Sequence, residues 1–507
     1  MRILQGIARS RLSKAILFAL PLLFFLVMFL FFPYRERFEF DLDEGVDAMK
    51  ALLVARGYPL YSQVWSDQPP LLTYLLAACF RIFGADIDAG RTLVLLLSTT
   101  LMVTAIQTLR ITWGFWHALV GALFIVLLPF YLSLSVAIMI SLPAIALATL
   151  SLFSLTIWHQ RRHKRWLVLS ALSMGLSVLT KLFTGFLVPI FALGLLLDER
   201  GRLTGKSSWI DELHPALLWS LVFTVVAAGL GLLLVGPSNM SQLIVTHLAA
   251  RQDPAFLDLA ANQPIFWHLR DAWSLLLMGG IGCFFVLKER RWVSLYLLAW
   301  ASTAYLLLSF NAPVWYHHQF LVTIPAAMLA AIAAGEAIRL ALQIIRTRIF
   351  LSLSTLLVVL ALAGLIAVLG SRARPTYHSF ALPATLIPPE APTGGHEADF
   401  LIEMSRYAFR TNWIVTDIPM YAFRENLLVP PHLATITDKR LSSGELTEDQ
   451  IIQVIEEYHP EQVLLGRFDL PAVDAHLKDD YRRVYQWGRR RLYLHGEIKR
   501  SLDPDQQ

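Results

Sequence analysis

Four carboxylates, Asp41, Asp43, Glu44 and Asp47, fall within seven residues directly after the first long apolar stretch. Asp67-Gln68-Pro69-Pro70 follows in the same polar interval. A carboxylate crowded by others at the edge of a low-dielectric layer has its pKa raised and can act as a base toward a hydroxyl or an amine. The same acids, just ahead of the stretch Val46 to Ala55, would also suit a helix N-terminus, where the helix dipole favours negative charge. Spacing alone leaves both readings open. Cys79 and Cys283 lie in apolar runs, so neither a disulfide framework nor a cysteine zinc site is available.

What must position these residues is a set of membrane helices. The chain has 507 residues, 56% hydrophobic and only 16% charged, too little charge to cover a soluble protein of that length. A spanning helix takes roughly 20 apolar residues. Charge-poor runs recur at about 15–33, 91–109, 111–157, 166–197, 214–236, 272–287, 292–310, 318–335 and 349–370. The first follows Arg2, Arg9, Arg11 and Lys14, and Phe31-Phe32-Pro33-Tyr34 after it is no cleavage site, which reads as a retained anchor with a cytoplasmic N-terminus. Further cytoplasmic turns are marked by Arg161, Arg162, Lys164 and Arg165; by Arg200, Arg202 and Lys206; by Lys288, Arg290 and Arg291; and by Arg339, Arg346 and Arg348.

Parity orders the rest. An odd number of crossings must separate the anchor from the cluster at 161–165; the run 91–109 supplies one and 111–157 two. Pro69 to Gly84 is therefore expected to be an amphipathic helix on the outer face and not a span. The run 166–197 lies between two inner clusters and must cross twice, with Lys181 at its outer turn. About eleven spans result, with 34–90 and the C-terminus outside; eighteen Lys and Arg flank inner ends against nine in outer loops. The net charge of +5 is thus a topology signal, and a nucleic-acid partner is not expected.

Beyond 371 charges become frequent. Residues 371–395, with Pro and Gly concentrated from Pro383 to Gly395, are expected to form a flexible linker after the helical domain 1–370. Residues 396–507 read as a small α/β domain outside the membrane, with short apolar stretches at 413–416, 462–465 and 491–494 and a helix over Thr447 to Tyr458. Arg489, Arg490 and Arg491 read as a solvated strand edge. No ionisable residue sits mid-span and no similarity relates two halves, which weighs against a secondary transporter.

Several short motifs resemble, in their order along this topology, bacterial family 39 glycosyltransferases of the GT-C class, relatives of protein O-mannosyltransferase and lipid A aminoarabinose transferase. Near the N-terminus these are Asp41-Leu42-Asp43-Glu44-Gly45, the stretch Arg56 to Tyr61, Trp65 to Leu71, and Ala89-Gly90-Arg91. Further along come Leu179 to Gly185, Trp315 to Phe320, and the tail segments Thr416 to Tyr421, Val429-Pro430-Pro431 and Gly444 to Thr447. The resemblance covers nearly the whole chain, although each motif is short.

It implies an α-helical polytopic membrane enzyme of GT-C type. Such an enzyme moves a sugar from a polyprenyl-phosphate carrier to a glycan, lipid or protein acceptor on the extracytoplasmic face, inverting the anomeric carbon. The family's base maps onto Asp43, with Asp41 its rival and Glu44 orienting a loop or substrate. A departing lipid phosphate needs a cation at headgroup level, for which Lys181 is the first candidate and Arg81, Arg91 and Arg251 are weaker ones. Relatives often carry Lys or His before the Pro pair; Gln68 has no charge to hold a phosphate, so Asp67 and Gln68 are expected to hydrogen-bond the sugar or acceptor. Tyr316, His317 and His318, at an outer helix start, complete the expected substrate-binding set. Adjacent histidines point apart on a helix, and neither a divalent metal nor another cofactor is expected. The expected location is the inner or plasma membrane, with membrane lipids as surroundings. A polytopic transporter, a non-catalytic scaffold, and a transferase using a lipid-linked oligosaccharide are the alternative readings.

Overall fold

The computed structural model describes residues 11–200, 209–259, 262–289, 291–347, 352–381 and 396–497. Arg2, Arg9, Arg202, Lys206, Arg290, Arg348 and the stretch Pro383 to Gly395 fall outside the described residues. Among the described residues, eight helices are long and apolar enough to cross a membrane: Arg11–Phe31, Ile87–Thr112, Ser141–Arg161, His214–Val235, Ile265–Glu289, Trp292–Ser309, Tyr316–Leu342 and Val359–Ser379. Three shorter helices, Phe115–Val126, Lys164–Val178 and Leu187–Arg200, stand where the sequence places its other crossings. Leu71–Phe83 is a separate short helix, as parity requires.

The helix Tyr316–Leu342 is the axis of the bundle, with 94% of its apolar window buried, whereas Arg11–Phe31 on the periphery buries 22%. Close approach to this axis depends on small residues. A Cβ on Gly282, in the helix Trp273–Glu289, would fall 2.0 Å from the Leu329 carbonyl oxygen.

Two hydrophobic cores form. One belongs to the membrane helices. The other joins Met49, Leu52, Leu72, Leu76 and Phe80 of the first outer segment to Phe400, Val415, Met420, Phe423 and Val463 of the tail. Residues 34–90 therefore pack with the tail in one layer. Contact is intimate at Gly45, where a Cβ would sit 2.6 Å from the Met420 backbone nitrogen. Rings of Phe38 and Tyr421 lie 4.5 Å apart, and those of Phe80 and Phe423 5.3 Å.

The tail carries a four-stranded sheet, β1 (Ile414–Thr416), β2 (Gln462–Leu465), β3 (Tyr481–Trp487) and β4 (Arg490–His495), in the order β1-β2-β4-β3. β1 and β2 are parallel, and the other pairs antiparallel. Thr447 caps the helix Glu448–Tyr458 through a reciprocal bond pair with Gln450. Two expectations need correction. β4 lies between β2 and β3, so Arg490 and Arg491 are not on an edge; they pair with Glu397 at 3.6 Å and Asp474 at 2.5 Å. The supposed linker from 371 begins as helix, because Ser352–Ala381 continues through Arg372, whose Nε donates to the Leu127 carbonyl at 3.0 Å.

Candidate active site

The segment after the first helix turns into the acidic helix Leu42–Ala55, capped by Asp41. One Asp41 oxygen accepts from the Asp43 amide at 2.9 Å, filling a need every helix start has. The other accepts from the Tyr316 hydroxyl at 2.8 Å. Burial, and then the neighbouring charge of Asp43, push the Asp41 carboxyl up to about 6.

Glu44 is wholly buried and saturated. Arg91 Nε and Nη2 reach its two oxygens at 2.9 and 2.8 Å, and the amides of Phe40 and Ile138 add bonds of 2.9 and 3.1 Å. Arg91 gives further donors to the carbonyls of Tyr34, Arg37 and Phe38. The pair pins the outer segment to the helix Ile87–Thr112. Glu44 is thereby a positioning residue and not a reacting one, and Arg91 has nothing left for an anion. Further along, Asp47 meets Lys50 at 2.7 Å. Burial opposes the Lys50 charge, but Asp47 outweighs it and holds the ammonium above its ordinary value. Asp43 sits among these engaged groups, half-buried, and its carboxylate has no hydrogen bond or ion pair among the described residues.

The turn Leu179-Thr180-Lys181 follows the helix Lys164–Val178. Pro69 and Pro70 have no amide to give, but the next amide, that of Leu71, donates to the Leu179 carbonyl at 3.0 Å and ties the Pro-pair segment to this turn. Lys181 is buried and donates to Ser141 Oγ at 2.8 Å. Burial lowers it to about 7, and Lys439 lowers it too, while Asp43 and Asp47 pull the other way. Phe183 meets the His318 ring edge-on at 5.1 Å. His317 and His318 are buried, their rings 4.7 Å apart and nearly perpendicular. His318 Nδ1 accepts from the Trp315 amide at 3.2 Å, whereas His317 Nδ1 has no partner among the described residues.

The tail supplies the remaining wall. Lys439, on the short helix Asp438–Ser442, ion-pairs Asp67. His247 Nε2 lies 3.6 Å from the same carboxylate, and Gln68 Nε2 donates to it at 3.1 Å. Burial alone would raise Asp67, but Lys439 and His247 overcome it and hold the carboxyl below the usual range. Glu445 accepts from Trp65 Nε1 at 2.9 Å and from Thr246 Oγ1 at 2.7 Å, and the Arg440 guanidinium lies 4.7 Å above the Trp65 ring. Glu39, buried beside this layer, is pushed up to about 8 by burial and by the charges of Glu44 and Asp41.

Of the residues picked from sequence, the Asp41–Tyr316 pair, Asp43 and Lys181 come together, with His317 and His318 on the Lys181 side and Asp67 and Gln68 on the tail side. Arg81 does not join them. It is exposed and donates to the Ala55 and Val54 carbonyls at 3.1 and 2.8 Å, closing the acidic helix at its C-terminus. Arg251 is likewise engaged elsewhere, with Asn311 at 2.6 Å. Sequence reasoning missed Lys439, Glu445, His247 and Lys50. The one hint was Gln68, which leaves the Pro-pair motif without a cation of its own. Among the described residues no group of three or more His, Cys, Asp or Glu is placed to hold a metal ion.

A model of the family described as dolichyl-phosphate-mannose-protein mannosyltransferase matches residues 67–233, from Asp67 through the Lys181 turn. No curated protein matches the sequence. Among solved structures, ArnT from Cupriavidus metallidurans bound to undecaprenyl phosphate aligns with a TM-score of 0.60 at 15% identity, over 95% of this chain and 97% of that one. The oligosaccharyltransferase AglB from Archaeoglobus fulgidus, in complex with an inhibitory peptide and a dolichol-phosphate, gives 0.56 at 12% identity, over 90% and 70%. The chain has the polytopic GT-C fold and resembles the glycosyltransferases of that class. At these identities the likeness to the two structures is one of fold.

Proposed function

We propose that this chain is a membrane glycosyltransferase that moves a sugar from a polyprenyl-phosphate donor to a glycan, lipid or protein acceptor on the extracytoplasmic face, with inversion and without a metal. The observation that carries the reading is Asp43. Among the described residues it is a half-buried carboxylate without a partner, while Asp41, Glu44, Asp47 and Asp67 beside it are all engaged and buried Glu39 is pushed up to about 8, toward its neutral form; the charge of Asp43 acts on buried Lys181.

In this mechanism the acceptor's hydroxyl or amine hydrogen-bonds to Asp43 and attacks the anomeric carbon from the side opposite the phosphate. Its proton passes to Asp43. The bond from carbon to phosphate oxygen breaks, and the electron pair stays on the lipid phosphate. Lys181 and Lys439 neutralise that charge, where cations already in place stabilise the transition state most. Gln68 and Asp67 hold sugar hydroxyls. Tyr316 keeps Asp41 oriented as the helix cap, so that the Asp43 carboxylate stays free.

Sugar transfer from a panel of radiolabelled polyprenyl-phosphate monosaccharides tests this in membranes carrying wild type, Asp43→Asn or Asp41→Asn, with and without EDTA. Expected are an EDTA-resistant activity with one donor, a loss of about 10²–10⁴-fold in Asp43→Asn, and a smaller loss in Asp41→Asn. A dead Asp41→Asn beside an active Asp43→Asn moves the base. Wild type inert toward every donor overturns the reading.

A further inference from the structure

Ser141, at one end of its helix, touches Lys181, and Arg91, near the start of Ile87–Thr112, touches Glu44. The other ends of these two helices, at Thr112 and Arg161, therefore lie away from the candidate site. There they enclose, with the first helix and Trp166, a cleft of about 610 Å³. Its lining mixes apolar Phe18, Phe153 and Ile157 with Arg110, Arg161 and Trp166, and the Arg110 guanidinium lies 5.9 Å from the Phe18 ring centroid.

The polar groups there have donors to spare. Arg110 gives Nε to Gln107 Oε1 at 2.5 Å and its guanidinium lies over the Phe18 ring, but its two terminal nitrogens make no hydrogen bond among the described residues. Arg161 is exposed and has no hydrogen bond or ion pair among the described residues. The Trp166 indole nitrogen is buried and likewise has no acceptor there. Positive charge at this membrane face is expected from topology alone. A cleft between helices that collects two guanidinium groups, an unsatisfied indole and apolar side chains is not. Basic pockets of this kind between helices hold anionic lipid headgroups.

We propose that this cleft binds an anionic phospholipid of the leaflet opposite the candidate active site. The phosphate lies between Arg110 and Arg161, and an acyl chain runs along Phe18, Phe153 and Ile157. The assignment does not depend on the reaction proposed above. The apolar lining commits the site to a bilayer lipid, since a free phosphate would leave Phe18, Phe153 and Ile157 uncovered.

Native mass spectrometry of the full-length protein, with phosphatidylglycerol and phosphatidylcholine at equal mole fraction, tests it. Phosphatidylglycerol is expected to be retained, and Arg110→Gln/Arg161→Gln to weaken that retention about thirty-fold, the effect of two charges at about 1 kcal/mol each. Ile157→Trp, which fills the cleft and keeps both charges, is expected to weaken it as well, and serves if the double variant folds poorly. Equal retention of phosphatidylcholine by wild type, undiminished phosphatidylglycerol on both variants, or displacement by glycerol 3-phosphate at comparable concentration would each overturn the proposal.

Discussion

In the helix Ile87–Thr112 the hydroxyls of Thr92, Thr99, Thr100, Thr104 and Thr108 each donate to the carbonyl four residues back. In the layer outside the bundle the polar partners are distant in sequence: Trp65 and Thr246 with Glu445, Asp67 with Lys439, Arg424 with the carbonyls of Arg37 and Phe38. A membrane helix satisfies its polar side chains locally because lipid offers nothing else. The outer layer uses them as ties between segments hundreds of residues apart. Within that layer two carboxylates, Glu39 and Asp43, have no hydrogen bond or ion pair among the described residues; Glu39 is buried and pushed up to about 8, toward its neutral form, whereas Asp43 is half-buried. Under the proposed mechanism, a half-buried charge with no partner among engaged ones is a better guide to the reacting group than the acidic cluster itself.

The largest expected effect sets two adjacent acids apart. Asp43→Asn should lower kcat by about 10²–10⁴-fold and leave the thermal unfolding midpoint in detergent unmoved. Glu44→Gln should do the reverse, since it strands the buried Arg91 charge at a cost of about 3–5 kcal/mol, read as a lowered midpoint or loss of folded protein. If both variants fold normally and lose turnover alike, the division between tie and free base fails.

Next comes the tie at the tail wall. Lys439→Ala should raise the donor KM roughly tenfold, the scale of one charged hydrogen bond, and leave Asp67 without its main partner. Asp67→Asn added to it should change little more, because the two act as a unit. Smaller still is a pH effect. With Lys181 lowered to about 7 by burial, its ammonium is present below that pH and lost above it. A bound phosphate favours the charged form, so the donor KM should rise severalfold as pH increases through about 7, and Lys181→Arg should flatten the profile. Smallest of all, Arg81→Ala should cost under about 1 kcal/mol of stability, with KM unchanged, because Arg81 only caps a helix.

The helical framework was legible because apolar length and basic flanks are local signals. Parity turned them into a turn at Lys181 between two short helices, which the structure has, and into a short separate helix at Leu71–Phe83. From spacing alone Asp43 was one of a cluster; only the family resemblance singled it out, with Asp41 its rival. Spacing cannot show that Glu44 is saturated by Arg91, 47 residues away, or that Asp41 is held by Tyr316, 275 residues away. Lys439 was invisible for the same reason, as its partner lies 372 residues off and its own helix looks like ordinary solvated surface. The strand Tyr481–Trp487 escaped because its mixed burial shows no clean alternation.

The core shared by residues 34–90 and the tail has a consequence for biogenesis. During synthesis the acidic helix emerges early, while Met420 and Phe423, which cover it, are made more than 300 residues later. At about 5–20 residues per second the helix waits roughly twenty seconds to a minute with its apolar face bare. The tail, made after the helices, is thus the part that completes the layer around the acidic helix, and a product truncated before Met420 would leave that apolar face uncovered.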